Sequence, residues 1–273
     1  MNIDLHTHTI ASDGSLTTNE LIQRAVNSGI NVLSITDHDT TSAYQQLPAI
    51  PPQSLTIIPG IEFSTQWQKT DIHVLGLNIQ IHNDAICTGI ALQRQARMER
   101  AERIAEKLEK LGIENPLSGA QDIAHHNNIG RPHFARHLVK IGATSDINQA
   151  FKKYLSAGKP AYFRQQWSPL FQIIDWIRSA GGIATLAHPA KYKLTRAKLY
   201  ALADEFCALG GEAIEVISGK QIPATTRDLT KLCQHKALLA SCGSDFHQPG
   251  QSWTELGQYP RLPKACKPIW DKW

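Results

Sequence analysis

Five short apolar runs along this chain each lead into histidine or a carboxylate. Asn2–Leu5 leads into His6-Thr7-His8, Asn31–Thr36 into Asp37-His38-Asp39, Leu55–Ile58 into Gly60-Ile61-Glu62, Ile183–Ala187 into His188, and Ala237–Cys242 into Gly243-Ser244-Asp245-Phe246-His247. Such runs form strands. Residues two apart in a strand share a face, so His6 and His8 point the same way. Strands that alternate with helices run parallel, which brings their carboxyl ends to one rim. Taken singly each motif is ambiguous. An isolated His-x-His is more often a surface pair, Glu62 alone reads as a paired core carboxylate, and Asp245 alone as a turn residue. Their recurrence at successive strand ends points instead to nitrogen and oxygen ligands converging on metal.

The segments between the runs read as helices. Thr17-Thr18-Asn19-Glu20 has the form of a capping box with Thr17 at the N-cap. Leu21, Ile22, Ala25 and Val26 then make a buried face, and Gly29 ends the helix. A short helix is expected near 41–47. Asp71–Leu77 alternates as a further strand with His73 inside it, and Thr65–Thr70 reads as a loop closing a hairpin. Ser168-Pro169 gives the N-cap and first residue of a helix that runs to Ala180. Helices over Thr195–Leu209 and Pro223–His235 flank a strand over Ala213–Ile217. About seven strands, mostly parallel, fit a (β/α) barrel better than an open sheet, and such barrels carry their chemistry at the carboxyl ends of the strands. An open doubly wound sheet is the alternative, with ligands spread along one edge.

The rhythm breaks in the middle. Residues 84–111 read as one long helix, with Ala101, Ile104, Leu108 and Leu111 as its apolar stripe. Helices near 118–127, 132–141 and 146–155 follow with no strand between them. We therefore divide the chain into a barrel, 1–90 and 166–273, and an inserted helical subdomain, 91–165. Charge follows the same division. Arg94–Arg164 holds 13 Lys+Arg and 7 Asp+Glu, a balance of +6, which leaves −2 on the remainder of a chain whose net charge is +4. A basic insertion beside candidate metal-binding carboxylates suits an anionic substrate lying between them. The five cysteines are odd in number and form no CxxC pair, so neither a disulfide framework nor a thiolate zinc site is expected. With no long apolar run and no leader pattern, a cytoplasmic protein without membrane contact is expected.

Six stretches, DLHTHTIASDGSLT, GINVLSITDHDT, PGIEFST, DIHVLGLN, ATLAHPAK and CGSDFH, resemble the polymerase-and-histidinol-phosphatase (PHP) family of metal-dependent phosphoesterases. The likeness spans nearly the whole chain. It implies a distorted (β/α)7 barrel with three divalent metal ions in its mouth: His6, His8, Glu62 and Asp245 on the first, Asp13, His38 and His247 on the second, and a bridging Glu62 with His73 and His188 on the third. Manganese is the metal the likeness favours, and the imidazole–carboxylate set also suits iron or zinc. It further implies hydrolysis of a phosphate ester by a hydroxide shared between metals, with Asp13 and His188 assigned catalytic roles through it. Asp37 and Glu215 are read as structural carboxylates, with the orientation of a ligand as the alternative role.

Gly130-Arg131-Pro132-His133 resembles one branch of that family, the bacterial nucleoside 3′,5′-bisphosphate phosphatases and 5′→3′ exoribonucleases. That likeness implies that Arg131 and His133, with Arg97 or Arg100, bind a second phosphate of the substrate. Arg94, Arg97, Arg100 and Arg103, at three-residue spacing, can equally form a solvated face. The expected substrates are small nucleotides of the pAp type, with the 5′-phosphate at the metals and the 3′-phosphate on the arginines, or RNA 5′ ends. A histidinol-phosphate phosphatase is the enzymatic rival, but it has no use for a second phosphate site. A metal-stabilised, non-catalytic nucleic-acid-binding accessory protein is the rival from another class.

Overall fold

The computed structural model describes residues 2–50 and 52–273. Seven strands form one sheet in chain order: β1 (Ile3–Asp4), β2 (Val32–Ile35), β3 (Thr56–Trp67), β4 (Thr70–Leu77), β5 (Ile183–Leu186), β6 (Ala213–Ser218) and β7 (Leu239–Gly243). The sheet curls until its edges meet. Leu5 donates its N–H to the Cys242 carbonyl at 3.1 Å, Asp245 to His6 at 2.9 Å and His8 to Phe246 at 2.9 Å. The result is a nearly closed seven-stranded barrel, as expected. Its interior is filled by fully buried side chains such as Leu5, Leu75, Ala187 and Ala213.

The hairpin departs from the sequence reading. Thr65, Gln66 and Trp67 belong to β3 and pair with Ile72, Asp71 and Thr70, so the loop is a two-residue turn at Gln68-Lys69. That direct return makes β4 antiparallel to both β3 and β5, whereas β1–β2–β3 and β5–β6–β7 are parallel. A parallel partner would need a crossover of a dozen residues or more. Glu62 accordingly lies within a long strand rather than at its end. It still reaches the rim, because the β2–β3 ladder stops at Ile35–Pro59 and only an isolated bridge joins His38 to Glu62.

Eight α-helices are described. α1 (Thr18–Asn27) carries the expected capping box: Glu20 N–H donates to Thr17 Oγ1 at 3.3 Å, and Thr17 N–H to Glu20 Oε2 at 2.8 Å. The insertion holds α2 (Asp84–Glu109), α3 (Pro116–Ala124), α4 (Arg131–Lys140) and α5 (Ile147–Ala150), which runs on as a π turn over Phe151–Leu155. α6 (Leu170–Ser179), α7 (Arg196–Ala208) and α8 (Pro223–His235) cover the second half of the barrel. α6 starts later than Ser168-Pro169 suggested, with Pro169 as the N-cap. The backbone of Ser168 is held elsewhere, its N–H on Gln93 Oε1 at 3.2 Å and its carbonyl on Thr65 Oγ1 at 2.7 Å.

α2 bridges the two regions. Its second half packs Ala101, Ile104 and Leu108 with Phe134, Leu138 and Leu155 into a core of the insertion's own. Its first half crosses α6 so closely that a Cβ on Gly89 would stand 2.5 Å from the Trp176 ring. Between these apolar ends Gln93, Arg97 and Arg100 are buried, a polar stripe at helical spacing. Arg94 and Arg103 are exposed. Three-residue steps fall short of a 3.6-residue turn, so the four arginines cannot share one face.

Candidate metal centre and anion site

The barrel rim gathers all nine sequence-predicted ligands. His6 and His8 leave β1 on one face and are fully buried. His38 follows β2, Glu62 lies in β3, His73 in β4, His188 follows β5, and Asp245 and His247 follow β7. Two of these positions need left-handed backbone, His188 at φ 27° and Asp245 at φ 55°. Such residues persist only where their surroundings hold them. His188 N–H donates to Glu215 Oε2 at 2.6 Å, and Asp245 N–H to the His6 carbonyl at 2.9 Å.

Three overlapping groups result. His6, His8, Glu62 and Asp245 have ligand atoms within 4.8 Å of one another, as have His8, Asp13, His38 and His247, and His38, Glu62 and His73. His188 joins the last group: its Nε2 lies 3.0 Å from Glu62 Oε1 and 3.3 Å from His73 Nδ1. His8 and His38 each stand within reach of two groups, where the likeness assigned them one each. Glu62 is the centre. Its Oε2 has His6 Nε2 at 3.2 Å, His8 Nε2 at 3.2 Å and His38 Nδ1 at 3.0 Å. Yet those three nitrogens and that oxygen, all buried, make no hydrogen bond. Buried polar atoms left unpaired are costly. Lone pairs converging without protons aligned between them are what a divalent cation satisfies, and the oxygen and imidazole donors are of the type such ions take.

The charge balance agrees. Burial alone would raise the Glu62 pKa, but His38, His6 and His73 outweigh it and hold the carboxyl well below its usual range. Burial opposes charge on His8 too, yet the Asp245 and Glu62 carboxylates beside it carry its pKa up to about 10. His38 and His188 go the other way, pushed down by burial despite the carboxylates beside them. The cluster demands cationic charge while two of its imidazoles favour the neutral form that ligates metal.

A supporting layer aims these groups. Glu215, read from sequence as structural, has Oε1 3.0 Å from His6 Nδ1, which turns Nε2 toward the cluster. It therefore orients His6, a predicted ligand. Asp37 behaves as read. It accepts from Thr9 N–H at 2.8 Å, Thr9 Oγ1 at 2.6 Å and Ser12 Oγ at 2.6 Å, and so pins the loop between His8 and Asp13. Several partners carried no sequence signal. Lys191 bonds Asp245, Tyr192 Oη accepts from His73 N–H at 2.9 Å, and Arg136 Nη2 donates to the Asp13 carbonyl at 2.7 Å.

The insertion adds a cluster of arginines, the candidate anion site. Arg97 and Arg100 stack under the Trp167 ring at 5.4 and 5.3 Å. Arg97 is committed locally, with Nε 2.6 Å from Asp39 Oδ2 and Nη2 2.9 Å from Ser64 Oγ. Arg100 is not: its buried Nε has no partner. Burial, then Arg131 and Arg97, push its pKa down to about 9. A guanidinium does not give up its proton in such a setting, so the shift measures an unmet demand for negative charge. Arg131 reaches only the edge of Asp71, at 3.9 Å. His133 is placed differently. Its Nδ1 accepts the Gly130 N–H at 2.9 Å, closing the first turn of α4, and burial pushes its pKa down to about 4. It is a neutral imidazole holding the loop that carries Arg131, rather than a cation beside it. Asp71 and His73 are two apart in β4 and share a face. The arginines and the metal groups therefore lie along one surface.

Comparison with known proteins matches this geometry. A family model described as PHP domain covers residues 4–180. The 5′-3′ exoribonuclease Rnm of Escherichia coli (strain K12) is 44% identical over 273 residues, covering 99% of this chain and 93% of that protein. The 3′,5′-nucleoside bisphosphate phosphatase of Chromobacterium violaceum is 39% identical, covering 98% of this chain and 95% of that protein. A solved amidohydrolase from Chromobacterium violaceum, with bound sulfate, has a TM-score of 0.93 at 38% identity and covers 100% of this chain and 95% of that one.

Proposed function

The chain belongs to the PHP-domain family, and on that premise we propose that it is a metal-dependent phosphoesterase of nucleoside 3′,5′-bisphosphates and of 5′-phosphorylated RNA. The carrying observation is the shared face of β4, with a cation-demanding cluster at His73 and an anion-demanding one beside Asp71. Two residues of strand span about 7 Å, comparable to the separation of two phosphates across one ribose. A histidinol phosphate would leave the buried Arg100 Nε unpaired.

His6, His8, Asp13, His38, Glu62, His73, His188, Asp245 and His247 are proposed to hold three ions, with manganese the metal favoured. When bound, the ions supply an activated water and neutralise the phosphoryl oxygens. The chain's own residues do the rest. Glu215 fixes the His6 ring, Asp37 fixes the Asp13 loop, and Arg100 and Arg131 hold the second phosphate. The helical unit proposed for 91–165 brings those arginines to the rim.

The site admits two registers. With the 5′-phosphate at the metals, pAp yields 3′-AMP and phosphate. Stepwise shortening of RNA needs the reverse, because each shortened chain must again end in a 5′-phosphate. There the terminal 5′-phosphate rests on the arginines, water adds to the next phosphorus, and the P–O3′ bond breaks as O3′ takes a proton. In that register pAp yields 5′-AMP. The test is a manganese assay on pAp, on RNA with a 5′-phosphate and on the same RNA with a 5′-hydroxyl. Turnover of the first two alone supports the reading, and the isomer of AMP released gives the register. Silence on all three from metal-loaded protein contradicts it.

A further inference from the structure

A cavity opens where the segments that follow β5 and β6 meet the first turns of α8. It has a volume of about 200 Å³ and is lined by His188, Lys191, Ser218, Lys220, Gln221 and Thr225, among others. His188 lines this cavity and also touches the metal cluster through its Nε2, 3.0 Å from Glu62 Oε1. Lys191, which bonds Asp245, and Lys220, whose Nζ has only Gln258 Oε1 near it, at 3.5 Å, both line this space. Ser218 Oγ is buried and has no hydrogen-bond partner. Thr225 belongs to the first turn of α8, where free backbone N–H groups favour anions. Beside the cavity stands Trp253, with 60% of its surface exposed, and Ile222, with 67%. Their placement is built rather than loose. Lys220 N–H donates to the Trp253 carbonyl at 2.7 Å, and a Cβ on Gly219, at φ 60°, would come within 2.4 Å of that same oxygen. The loop after β6 and the loop after His247 are thus locked together backbone to backbone, and each carries an exposed residue at the junction, Lys220 and Trp253. Basic groups interleaved with an exposed aromatic are the features that hold single-stranded nucleic acid, phosphates on the cations and bases on the ring.

We propose that this cavity, with Lys220 and Trp253, binds the RNA nucleotide on the 3′ side of the phosphate being cleaved. The inference rests on the exoribonuclease reading above. It adds to it a strand path: 5′-terminal phosphate on Arg100 and Arg131, scissile phosphate at the metal groups, and the retained strand leaving past His188 toward Trp253. pAp ends at the metals and does not reach this surface. RNA does.

The experiment compares wild type with Lys220→Gln, Trp253→Ser and the double variant on pAp and on 5′-phosphorylated oligoribonucleotides of increasing length. Both side chains are exposed, so folding is retained, and the pAp rate reports it. For wild type, kcat/KM rises on going from pAp to a dinucleotide and a trinucleotide. The variants lose about tenfold of that gain for the ring and somewhat less for the charge, with pAp changed less than twofold. The salt dependence of RNA turnover flattens in Lys220→Gln. Loss of pAp and RNA turnover in equal proportion, or unchanged RNA turnover, overturns the proposal. If wild type cuts no RNA, it is the exoribonuclease reading that fails, and this strand path with it. If wild type cuts RNA and the variants match it, only the strand path fails.

Discussion

The rim of the barrel and the inner face of the insertion solve opposite electrostatic problems. At the rim, Glu62, Asp245 and Asp13 face a ring of imidazoles, and the buried Nε2 atoms of His6 and His8 have no hydrogen bond. In the insertion, Arg97, Arg100 and Arg131 come together with Asp39 and Asp71 as their carboxylate neighbours, and Arg100 Nε has no hydrogen bond. Buried charge without a full set of partners is costly in either sign. One region lacks cations and the other lacks an anion. A phosphate ester with two phosphates, bound with metal, suits both at once, and neither cluster pairs the other's unpartnered atoms. The difference also teaches how each is built. The rim is assembled from seven strands whose termini the barrel forces together, whereas the arginines come from two helices and depend on α2 and α4 staying docked.

The comparison breaks most sharply at Glu62. Its carboxylate belongs to two of the three groups and has His8 and His38 of the third beside it, so Glu62→Gln is expected to lower kcat by roughly 100- to 1000-fold and to reduce bound metal measured by elemental analysis. Arg100 is the counterpart. Arg100→Met removes charge but keeps an apolar stem under Trp167, and is expected to raise KM for pAp about 10- to 100-fold, the loss of charge-assisted hydrogen bonds worth ~1.5–3 kcal/mol. Bound metal should be unchanged. Loss of metal in that variant would mean that the two clusters are not separable. Glu215→Gln tests the layer behind the rim. It keeps shape but weakens the hold on His6, and metal affinity from chelator competition should fall about 10- to 100-fold. The smallest effect is on stability. His133 is held neutral by burial, with its pKa lowered from 6.5 to about 4. Between those values the unfolded chain binds a proton that the native one does not, so stability falls as pH drops from 6.5 toward 4. His133→Asn should flatten that slope by on the order of 1–2 kcal/mol, read from urea unfolding at pH 7 and pH 5.

The two regions also differ in how far the sequence disclosed them. The rim was legible because strand periodicity and strand-end residues are local signals: His6-x-His8, Asp37-His38 and Asp245-x-His247 each announce their place within a few residues. The insertion was legible as helices, since α2 keeps its apolar stripe through Leu108. Which arginines turn inward was not, because linear three-residue spacing does not follow helical geometry. Arg97 and Arg100 went in and Arg94 and Arg103 stayed out. The tight turn at Gln68-Lys69 was missed for want of glycine or asparagine, although Gln68 adopts φ 54°. Glu215 lies 209 residues from the histidine it orients, and no local pattern carries a contact of that range. Lys191 and Tyr192 directly follow His188-Pro189-Ala190, yet only the fold turns them back onto Asp245 and His73.

Steady-state kinetics of Arg131→Ala on pAp, 5′-phosphorylated RNA and an aryl phosphate test most directly whether the two clusters serve one substrate. If they do, kcat/KM falls at least about tenfold for the first two and stays within about twofold for the aryl phosphate, which has no second phosphate to place. An equal loss on all three would mean that Arg131 serves the metal centre or the fold, and would contradict a shared substrate.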